Sequence, residues 1–434
     1  MTNPQLSADN KTAIDTAFEM QKGYALKLRK STCAQRLEAL ARFEKAFKAS
    51  YDKIYASAAA DFGKPEAEVD MAEIMIVLSE LSHIRKKLKK WMKPVSVSAS
   101  MTMLGTSSKI VTEPKGTSLV ISPWNYPFNL TFGPMMSAIA AGCTVIIKPS
   151  EMTPNMSKVI AEIVEEAFRP EEVSLFEGDA SVSSYLTSLP FDHIFFTGSP
   201  AVGKHVMAAA AKNLTSVTLE LGGKSPVIVD KSADLKKTAR SVSWGKFTNN
   251  GQTCIAPDYL FVHESIKDAL LVELKSCMAR QYGEGSDAKA NGDYCQVVNQ
   301  NHHGRISGLL SDALAGGAQV ISGGQVDDAE RFIAPTLIEG MASDSRIMDE
   351  EIFGPVLPIM TFSELDEVID FINSKPKPLA LYFFGREKAA INKVLEETSA
   401  GDTCINQTVM HFVHPNLPFG GVNNSGIGKS GGEW

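Results

Sequence analysis

The chain has 434 residues, which is long enough for more than one domain, each with its own hydrophobic core. Its formal charge of −7 argues against a protein whose whole surface binds nucleic acid or an anionic membrane, and 44% hydrophobic with 21% charged residues is typical of a globular protein. The six cysteines have no C-x-x-C spacing and no histidine pairing, which excludes a disulfide framework and the usual zinc motifs. We therefore predict no metal site and a reducing compartment, the cytoplasm.

No membrane span is predicted. The longest nearly apolar run, residues 133–147, is shorter than the roughly 20 residues that a span needs, so we expect a buried helix followed by a buried strand. The N-terminal residues MTNPQLSADNK lack the apolar region of a secretory signal.

Residues 8–92 are predicted to be helical, because apolar residues recur at helical spacing in RLEALARFEKAF and MAEIMIVLSELSHI. The basic segment 85–93 is interpreted as a solvated helix face, with a phosphate or membrane patch as the alternative. Residues 94–115 are rich in Ser, Thr and β-branched residues and predict extended strands or an arm that reaches away from the helices.

From residue 116 to residue 230, β-type and helical runs alternate. One helix is expected to begin at Thr153–Pro154, with the threonine hydroxyl as its cap. This alternation predicts a doubly wound, largely parallel sheet, which binds ligands beyond the carboxyl ends of its strands. A second α/β region is expected from about 225 to 410. The predicted strands of the first region are 117–122, 144–147, 173–176, 193–196 and 216–219.

The glycine-rich segments give no valid nucleotide fingerprint. Segment 283–288 follows a helix, and segment 426–431 lies too close to the end of the sequence for a strand–turn–helix unit. Segment 198–204 resembles a P-loop but has His205 where a Mg²⁺-binding hydroxyl belongs. We interpret 198–203 as a strand end followed by a helix N-terminus that suits an anion, with a plain turn as the alternative.

Three side chains are candidates for chemistry. Cys254 follows an Asn-Gly turn signal in NNGQTCIAP and is either a nucleophile or a small buried hydrophobe. Glu220 ends a predicted strand before two glycines, where it is either a general base or a structural ion-pair or capping residue. Asn125 lies between two prolines in SPWNYPFN, where its amide either donates to an oxyanion or bonds its own backbone.

Two further segments carry candidate residues. Lys148 ends the run TVIIK, where it either binds hydroxyls or phosphate at the sheet edge or is a plain surface lysine. Glu351 and Phe353 precede a stiff Gly-Pro turn, which would hold a polar and an aromatic side chain in place.

Six segments in a fixed order carry a family resemblance. The chain resembles the NAD(P)-dependent aldehyde dehydrogenases over nearly its whole length, and the interval from Glu220 to Cys254 suits that family. The short N-terminus and the residue sequence around Cys254 are most similar to the class 3 branch, which takes medium- and long-chain or aromatic aldehydes. The segments are PWNYPFNLTFGPMMSAIAAGCTVIIKPSE, FTGSPAVGK, LELGGKSP, NNGQTC, EEIFGPV and LPFGGVNNSG.

The resemblance implies an α/β fold of the aldehyde dehydrogenase type. It has a doubly wound parallel cofactor-binding sheet, a second α/β catalytic domain and a small β oligomerisation arm. The implied division is an NAD(P)-binding domain of residues 1–93 and 116–222, a catalytic domain of residues 223–410, and bridging or oligomerisation segments at 94–115 and 411–434.

The resemblance also assigns roles to residues. Cys254 corresponds to the nucleophile, Glu220 to the general base, and Asn125 to the oxyanion donor, assisted by the backbone N–H of Cys254. Lys148 and Glu151 would contact the adenosine ribose, and Glu351 the nicotinamide ribose. The implied cofactor-binding set is Ser122, Trp124, Lys148, Glu151, Gly198, Ser199, Pro200, Ala201, Val202, Gly203, Leu221, Glu351 and Phe353. The expected substrate tunnel is lined by Tyr126, Phe412 and Phe419, with ordinary core aromatics as the alternative.

The implied reaction oxidises an aldehyde to a carboxylic acid through a Cys254 thioester. We expect NAD to be preferred and NADP tolerated, because Glu151 would repel a 2′-phosphate. Two alternatives stay open: a CoA-acylating aldehyde dehydrogenase, which generally lacks the base glutamate, and a non-catalytic protein on the same fold.

The expected partners are a small-molecule aldehyde and a second copy of the chain, with no nucleic acid and no membrane. Relatives usually continue beyond LPFGGVxNSG into a strand of the subunit interface, whereas this sequence ends at Trp434. We therefore expect either that the end is trimmed or that the homodimer interface differs. Membrane-anchored relatives carry an apolar C-terminal tail that this sequence lacks, which predicts a soluble protein.

Overall fold

A computed structural model of the chain describes residues 6–432, so residues 1–5 and 433–434 of the predicted domains lie outside it. The helices are α1 (Ala8–Leu28), α2 (Cys33–Ala49), α3 (Tyr51–Phe62), α4 (Glu66–Val69), α5 (Met75–Trp91), α6 (Pro127–Ala141), α7 (Pro154–Ala167), α8 (Ala180–Ser188), α9 (Pro200–Ala211), α10 (Leu235–Phe247), α11 (Lys267–Tyr282), α12 (Gln300–Ala315), α13 (Arg346–Asp349), α14 (Leu365–Asn373) and α15 (Lys388–Glu397).

The strands alternate with these helices over most of the chain. They are β1 (Val95–Val97), β2 (Ser108–Ile110), β3 (Thr117–Ile121), β4 (Thr144–Lys148), β5 (Val173–Leu175), β6 (His193–Gly198), β7 (Ser216–Leu221), β8 (Pro226–Val229), β9 (Tyr259–His263), β10 (Gln319–Ser322), β11 (Val326–Asp327), β12 (Phe332–Ile333), β13 (Thr336–Glu339), β14 (Val356–Phe362), β15 (Ala380–Phe384), β16 (Asp402–Ile405) and β17 (Gly426–Ile427).

The first large sheet has the strand order β17-β7-β6-β3-β4-β5. Strands β3 to β7 pair in parallel, as the alternation of strands and helices predicts. Strand β17 pairs antiparallel with β7, with Gly426 opposite Glu220, and the sequence did not predict it. This pairing brings the C-terminal segment against the end of β7.

The second large sheet has the strand order β10-β13-β14-β9-β8-β15-β16. Its strands are parallel except for the edge strand β10, which runs antiparallel to β13. The chain passes from the first sheet to the second between Leu221, which ends β7, and Pro226, which begins β8. Both sheets carry helices on their faces, which buries their β-branched and aromatic strands.

Helices α2, α3 and α5 cover one face of the first sheet, and α1 packs on the other face. Phe43 and Phe47 of α2 pack on Phe132 of α6, with ring centroids 4.9 Å and 5.6 Å apart. Helix α3 packs along α7 and caps it. Asp61 accepts hydrogen bonds from the N–H groups of Asn155 and Met156 at 3.2 and 2.9 Å.

The predicted cap of α7 was therefore wrong. Thr153 does precede Pro154 at the start of the helix, but its hydroxyl makes no capping hydrogen bond. The carboxylate of Asp61 replaces it, because two charged acceptor oxygens satisfy two orphan N–H groups at a positive helix end.

Strands β1 and β2 form an antiparallel hairpin, as expected for the arm in residues 94–115. Its apolar side chains are more than half exposed at Val95, Met101, Leu104, Ile110 and Val111. The apolar run 133–147 forms the end of α6 and most of β4, in agreement with the predicted helix and strand. Within the described part of the chain, no helix has the length and apolar character needed to cross a membrane.

Candidate active site

Cys254 lies just after a tight turn in which three successive residues are left-handed. Asn249, Asn250 and Gly251 have φ values of +54°, +57° and +70°. Asparagine tolerates left-handed φ values because its side chain can hydrogen-bond locally, and here the Asn249 amide donates to the carbonyl of Gln252 at 3.2 Å. The Asn250 amide donates to the carbonyl of Cys295 at 2.8 Å. A Cβ on Gly251 would lie 2.4 Å from the carbonyl oxygen of Gly354, so only glycine fits.

The thiol of Cys254 is half-buried and packs against the core of the second sheet. Burial raises its pKa to about 12, and the negative charges of Glu351 and Glu220 add to the effect. The resting thiol is therefore protonated at neutral pH, and attack on a substrate requires a proton acceptor.

Asn125 is buried between β3 and α6 and faces the Cys254 loop. Its side-chain nitrogen donates to the carbonyl of Gln252 at 3.0 Å, so the alternative in which it bonds its own backbone does not hold. The neighbouring Tyr126 hydroxyl lies 2.7 Å from the Thr253 hydroxyl. An amide nitrogen has two hydrogens, and Gln252 uses only one of them.

Glu220, in β7, is buried beside the C-terminal segment. Its Oε1 accepts a hydrogen bond from Ser430 at 3.1 Å, while its Oε2 has no partner among residues 6–432. Burial raises the pKa of Glu220 to about 8, although the Ser430 hydrogen bond and the charge of Lys429 oppose this. A carboxyl group with this pKa exchanges protons near neutral pH, as a general base must.

Glu351 lies next to the end of the first sheet. A Cβ on Gly222 would be 2.2 Å from Oε2 of Glu351, so the glycine leaves room for the Glu351 carboxylate in this position. Burial raises the pKa of Glu351 to about 8, and the charge of Asp258 raises it further. Phe353 has a left-handed φ of +47°, and its ring meets Trp124 edge-on with centroids 5.4 Å apart.

The Glu351 loop is held by residues that the sequence analysis missed. Arg305 donates to the carbonyl of Glu351 at 3.0 Å, and Asp258 accepts from the N–H of Ile352 at 2.9 Å. Lys224 contacts Asp258 and donates to the carbonyl of Glu350 at 2.8 Å. Lys224 lies in the LELGGKSP segment and Asp258 just after NNGQTC, so the motifs contained the signal.

The carboxyl end of β6 leads directly into α9. Ser199 caps this helix by accepting from the N–H of Val202 at 3.4 Å, and Pro200 occupies the first helical position, followed by Ala201. A Cβ on Gly203 would lie 2.7 Å from the Leu221 side chain, so glycine allows the helix to approach β7.

This helix start fits the phosphates of a dinucleotide. It presents a positive dipole end at the carboxyl edge of a parallel sheet. Next to it, Gly198 ends β6, and the buried hydroxyl of Thr197 has no partner within the described chain. The residues present therefore match the NAD(P) that the sequence implies.

Lys148 and Glu151 lie at the same edge of the sheet, at the end of β4. The Lys148 ammonium is 2.5 Å from a carboxylate oxygen of Glu151, with 3% and 45% of these side chains exposed. The alternative in which Lys148 is a plain surface lysine does not hold. Ser122, after β3, donates its N–H to the carbonyl of Lys148 at 3.1 Å.

Of the three predicted substrate aromatics, Tyr126 contacts the Cys254 loop, and the other two lie against the core on which Cys254 packs. Phe412 and Phe419 meet edge-on with centroids 4.9 Å apart and pack against the same core as Cys254. Tyr126 bonds to Thr253, the residue before Cys254. All three are half-buried, so each has a face available to a ligand.

With this geometry established, comparison with known proteins identifies the family. Residues 4–434 match the sequence model of the Aldehyde dehydrogenase family, and the chain belongs to that family. It is therefore an enzyme that oxidises aldehydes to carboxylic acids with NAD(P)⁺. The family, the fold class and the type of enzyme were all predicted correctly.

Individual relatives cover most of the chain. It is 46% identical over 399 residues to a Staphylococcus aureus protein named 4,4'-diaponeurosporen-aldehyde dehydrogenase, covering 92% of this chain and 86% of the relative. It is 42% identical over 417 residues to the Rattus norvegicus aldehyde dehydrogenase named dimeric NADP-preferring, covering 96% and 89%. Family 3 members are among the similar proteins, in agreement with the class 3 resemblance.

A solved structure has the same fold. The substrate-bound state of Staphylococcus aureus AldH superposes with a TM-score of 0.93 at 44% identity, covering 97% of this chain and 91% of that one.

Proposed function

We propose that Cys254, Glu220 and Asn125 carry out the oxidation. Cys254 gives up its thiol proton to solvent water, and the resulting thiolate attacks the aldehyde carbon. The free N–H of the Asn125 amide stabilises the oxyanion that forms, assisted by the backbone N–H of Cys254. Bound NAD(P)⁺ supplies the hydride acceptor. The thioester that remains on Cys254 is hydrolysed by a water that Glu220 deprotonates, which releases the carboxylic acid.

The observation that carries this proposal is the convergence of three separate motifs on one thiol. Asn125 is bonded to the carbonyl of Gln252, two residues before Cys254. The charge of Glu220 is close enough to raise the pKa of Cys254. The hydrolytic role of Glu220 favours release of an acid over transfer to CoA.

The test compares NAD(P)H formation by the wild type and Cys254→Ala with hexanal, decanal and benzaldehyde, with and without CoA. Cys404→Ala is the matched control, because Cys404 is also half-buried against the same core. We expect the Cys254 variant alone to lose turnover and the wild type to need no CoA. Full turnover by Cys254→Ala would refute the proposed nucleophile, and CoA-dependent turnover would favour the acylating alternative.

We propose that residues 1–93 and 116–222 bind the cofactor and that residues 223–410 form the catalytic domain. Ser122, Trp124, Leu221 and residues 198–203 would hold the dinucleotide at the carboxyl edge of the first sheet, and Glu351 and Phe353 would hold its nicotinamide ribose. The ion pair of Lys148 and Glu151 would contact the adenosine ribose. NAD is preferred because Glu151 would repel a 2′-phosphate, and NADP, which the rat relative prefers by its name, is tolerated because Lys148 offsets part of the Glu151 charge.

The proposed substrates are medium- or long-chain aliphatic or aromatic aldehydes. Support comes from three half-buried rings: Tyr126 bonds to the Cys254 loop, and Phe412 and Phe419 pack against the same core as Cys254. An apolar wall of this kind favours aldehydes with an apolar body, so decanal and benzaldehyde should have higher kcat/KM values than acetaldehyde.

The proposed assembly is a homodimer formed through residues 94–115 and 411–434. The hairpin of β1 and β2 exposes apolar side chains that a partner would cover, and the rat relative is named dimeric. The proposed compartment is the cytoplasm, because all six cysteines are free thiols.

A further inference from the structure

A buried cation lies beneath the loop that carries Asn125. Lys64 follows the C-terminal end of α3, and its side chain has no exposed surface. Its ammonium nitrogen donates to the backbone carbonyl of Asn125 at 3.0 Å and lies 4.1 Å from the ring centroid of Tyr126. One charge therefore contacts both the proposed oxyanion donor and a proposed wall of the substrate site.

The partner of this cation ties it to the next helix. Glu73, in the π-helical turn Asp70–Ile74 before α5, is also fully buried, and its Oε1 is 3.2 Å from Nζ of Lys64. Its Oε2 accepts from the N–H of Asn129 at 2.8 Å, in the first turn of α6. The Asn125 loop is thus fixed by Lys64, and the helix that follows it is fixed by Glu73.

The Cys254 loop reaches the same carbonyl oxygen from the other side. The side-chain amide of Asn249 donates to the carbonyl of Asn125 at 3.0 Å, and the backbone N–H of Asn249 donates to Glu68 at 2.9 Å. The carbonyl of Asn125 therefore accepts from Lys64 and Asn249 together. Meanwhile the side chain of Asn125 faces the carbonyl of Gln252.

This arrangement needs an explanation, because a buried ion pair is a weak stabiliser. Apolar residues of similar volume often stabilise a protein as well or better, since the two charges must be removed from water. Neither Lys64 nor Glu73 is exposed, so they do not serve solubility. The two charges instead fix an orientation, because a charge-assisted hydrogen bond holds in place the carbonyl group that it contacts.

We propose that Lys64, held by Glu73, is a positioning residue that fixes the Asn125 backbone so that the Asn125 amide stays aimed at the oxyanion. The inference rests on the proposed role of Asn125 in the oxidation. Lys64 itself touches no reacting atom. The proposal is that its effect passes through Asn125, and the test uses that dependence.

The test variant is the double substitution Lys64→Met/Glu73→Gln. Lys64→Met alone would leave a buried carboxylate without a partner and endanger folding, whereas the pair removes both charges at nearly constant volume. The matched control is Lys267→Met/Glu339→Gln, which removes an ion pair of 2.6 Å that joins the start of α11 to the end of β13. Circular dichroism and thermal melting check the folded state of each variant.

We expect kcat of the Lys64/Glu73 variant to fall about tenfold to a hundredfold, because small displacements of a catalytic group carry costs of that size. The KM for aldehyde and the NAD⁺ dissociation constant, measured by protein fluorescence, should change less than about twofold, since binding is not what Lys64 supplies. The control variant should retain wild-type kcat.

The decisive measurement repeats the double substitution in an Asn125→Ala background. If Lys64 acts through the Asn125 amide, it causes no further loss of kcat there. A folded Lys64/Glu73 variant with wild-type kcat, or an equal loss in both backgrounds, would overturn the proposal. If Asn125→Ala itself kept full kcat, the proposed oxyanion role would fail, which is a separate and distinguishable result.

Discussion

Glu220 shows how burial sets the chemistry of a single side chain. A carboxyl group with a pKa of about 8 is largely protonated at pH 6 and ionised at pH 9. Because the proposed base must be ionised, kcat should rise with pH through about pH 8 and level off above about pH 9. In Glu220→Gln, kcat should lose this dependence on pH. Measuring kcat from pH 6 to pH 9 for both proteins tests this. A wild-type profile that falls between pH 6 and pH 8 would contradict the role.

Glu151 is the residue on which the cofactor preference depends. Its charge is only partly offset by Lys148, and 45% of its side chain is exposed. Glu151→Gln should raise kcat/KM for NADP⁺ relative to NAD⁺ about tenfold, because one repulsion with the 2′-phosphate is removed. Glu166→Gln, an exposed glutamate on α7, is the control. An unchanged ratio in Glu151→Gln would remove the electrostatic explanation of the preference.

At the scale of single elements, the cap of α7 gives a stability test. Asp61→Ala leaves the N–H groups of Asn155 and Met156 without partners and should lower the free energy of unfolding by about 1–2 kcal/mol. Thr153→Ala should change it little, because that hydroxyl makes no hydrogen bond. Urea midpoints of the two variants test this, and a larger loss for Thr153→Ala would contradict the assigned cap.

Most elements could be predicted from the sequence because their signals are local. Strands β3, β4 and β6 are short apolar runs within α/β alternation, and residues 8–92 carry helical periodicity. Strand β17 could not be predicted, since two residues that include Gly426 carry no periodic signal and exist as a strand only through pairing with β7. The Asp61 cap is likewise a contact between elements distant in sequence.

The candidate site was predictable where a motif marks a residue. In their local sequence, Cys254, Glu220 and Asn125 each also suit a purely structural role. Only the order of the six segments singled them out. Lys64 and Glu73 belong to none of those segments, and a charged residue in a helix usually marks a solvated face. Their burial depends on how the N-terminal helices pack against the Asn125 loop.

For the whole molecule, the exposed hairpin predicts assembly. Leu104 is 81% exposed at the hairpin, and Leu104→Asp should weaken the homodimer at least about tenfold by placing a charge in an apolar interface. Leu214→Asp is the control, because Leu214 is 93% exposed in the loop before β7. Light scattering after size-exclusion chromatography measures the mass. A monomeric wild type, or a dimer insensitive to Leu104→Asp, would rule out this interface.

In the proposed mechanism of the whole enzyme, Cys254 carries the thioester and Glu220 assists its hydrolysis. The most direct measurement is rapid mixing of Glu220→Gln with NAD⁺ and decanal, followed at the NAD(P)H absorbance and by intact-protein mass spectrometry. We predict a burst of NADH equal to the enzyme concentration and then near arrest, with the acyl group retained on Cys254, because hydride transfer precedes the hydrolysis that Glu220 assists. Steady turnover without a burst or an acylated protein would contradict the mechanism.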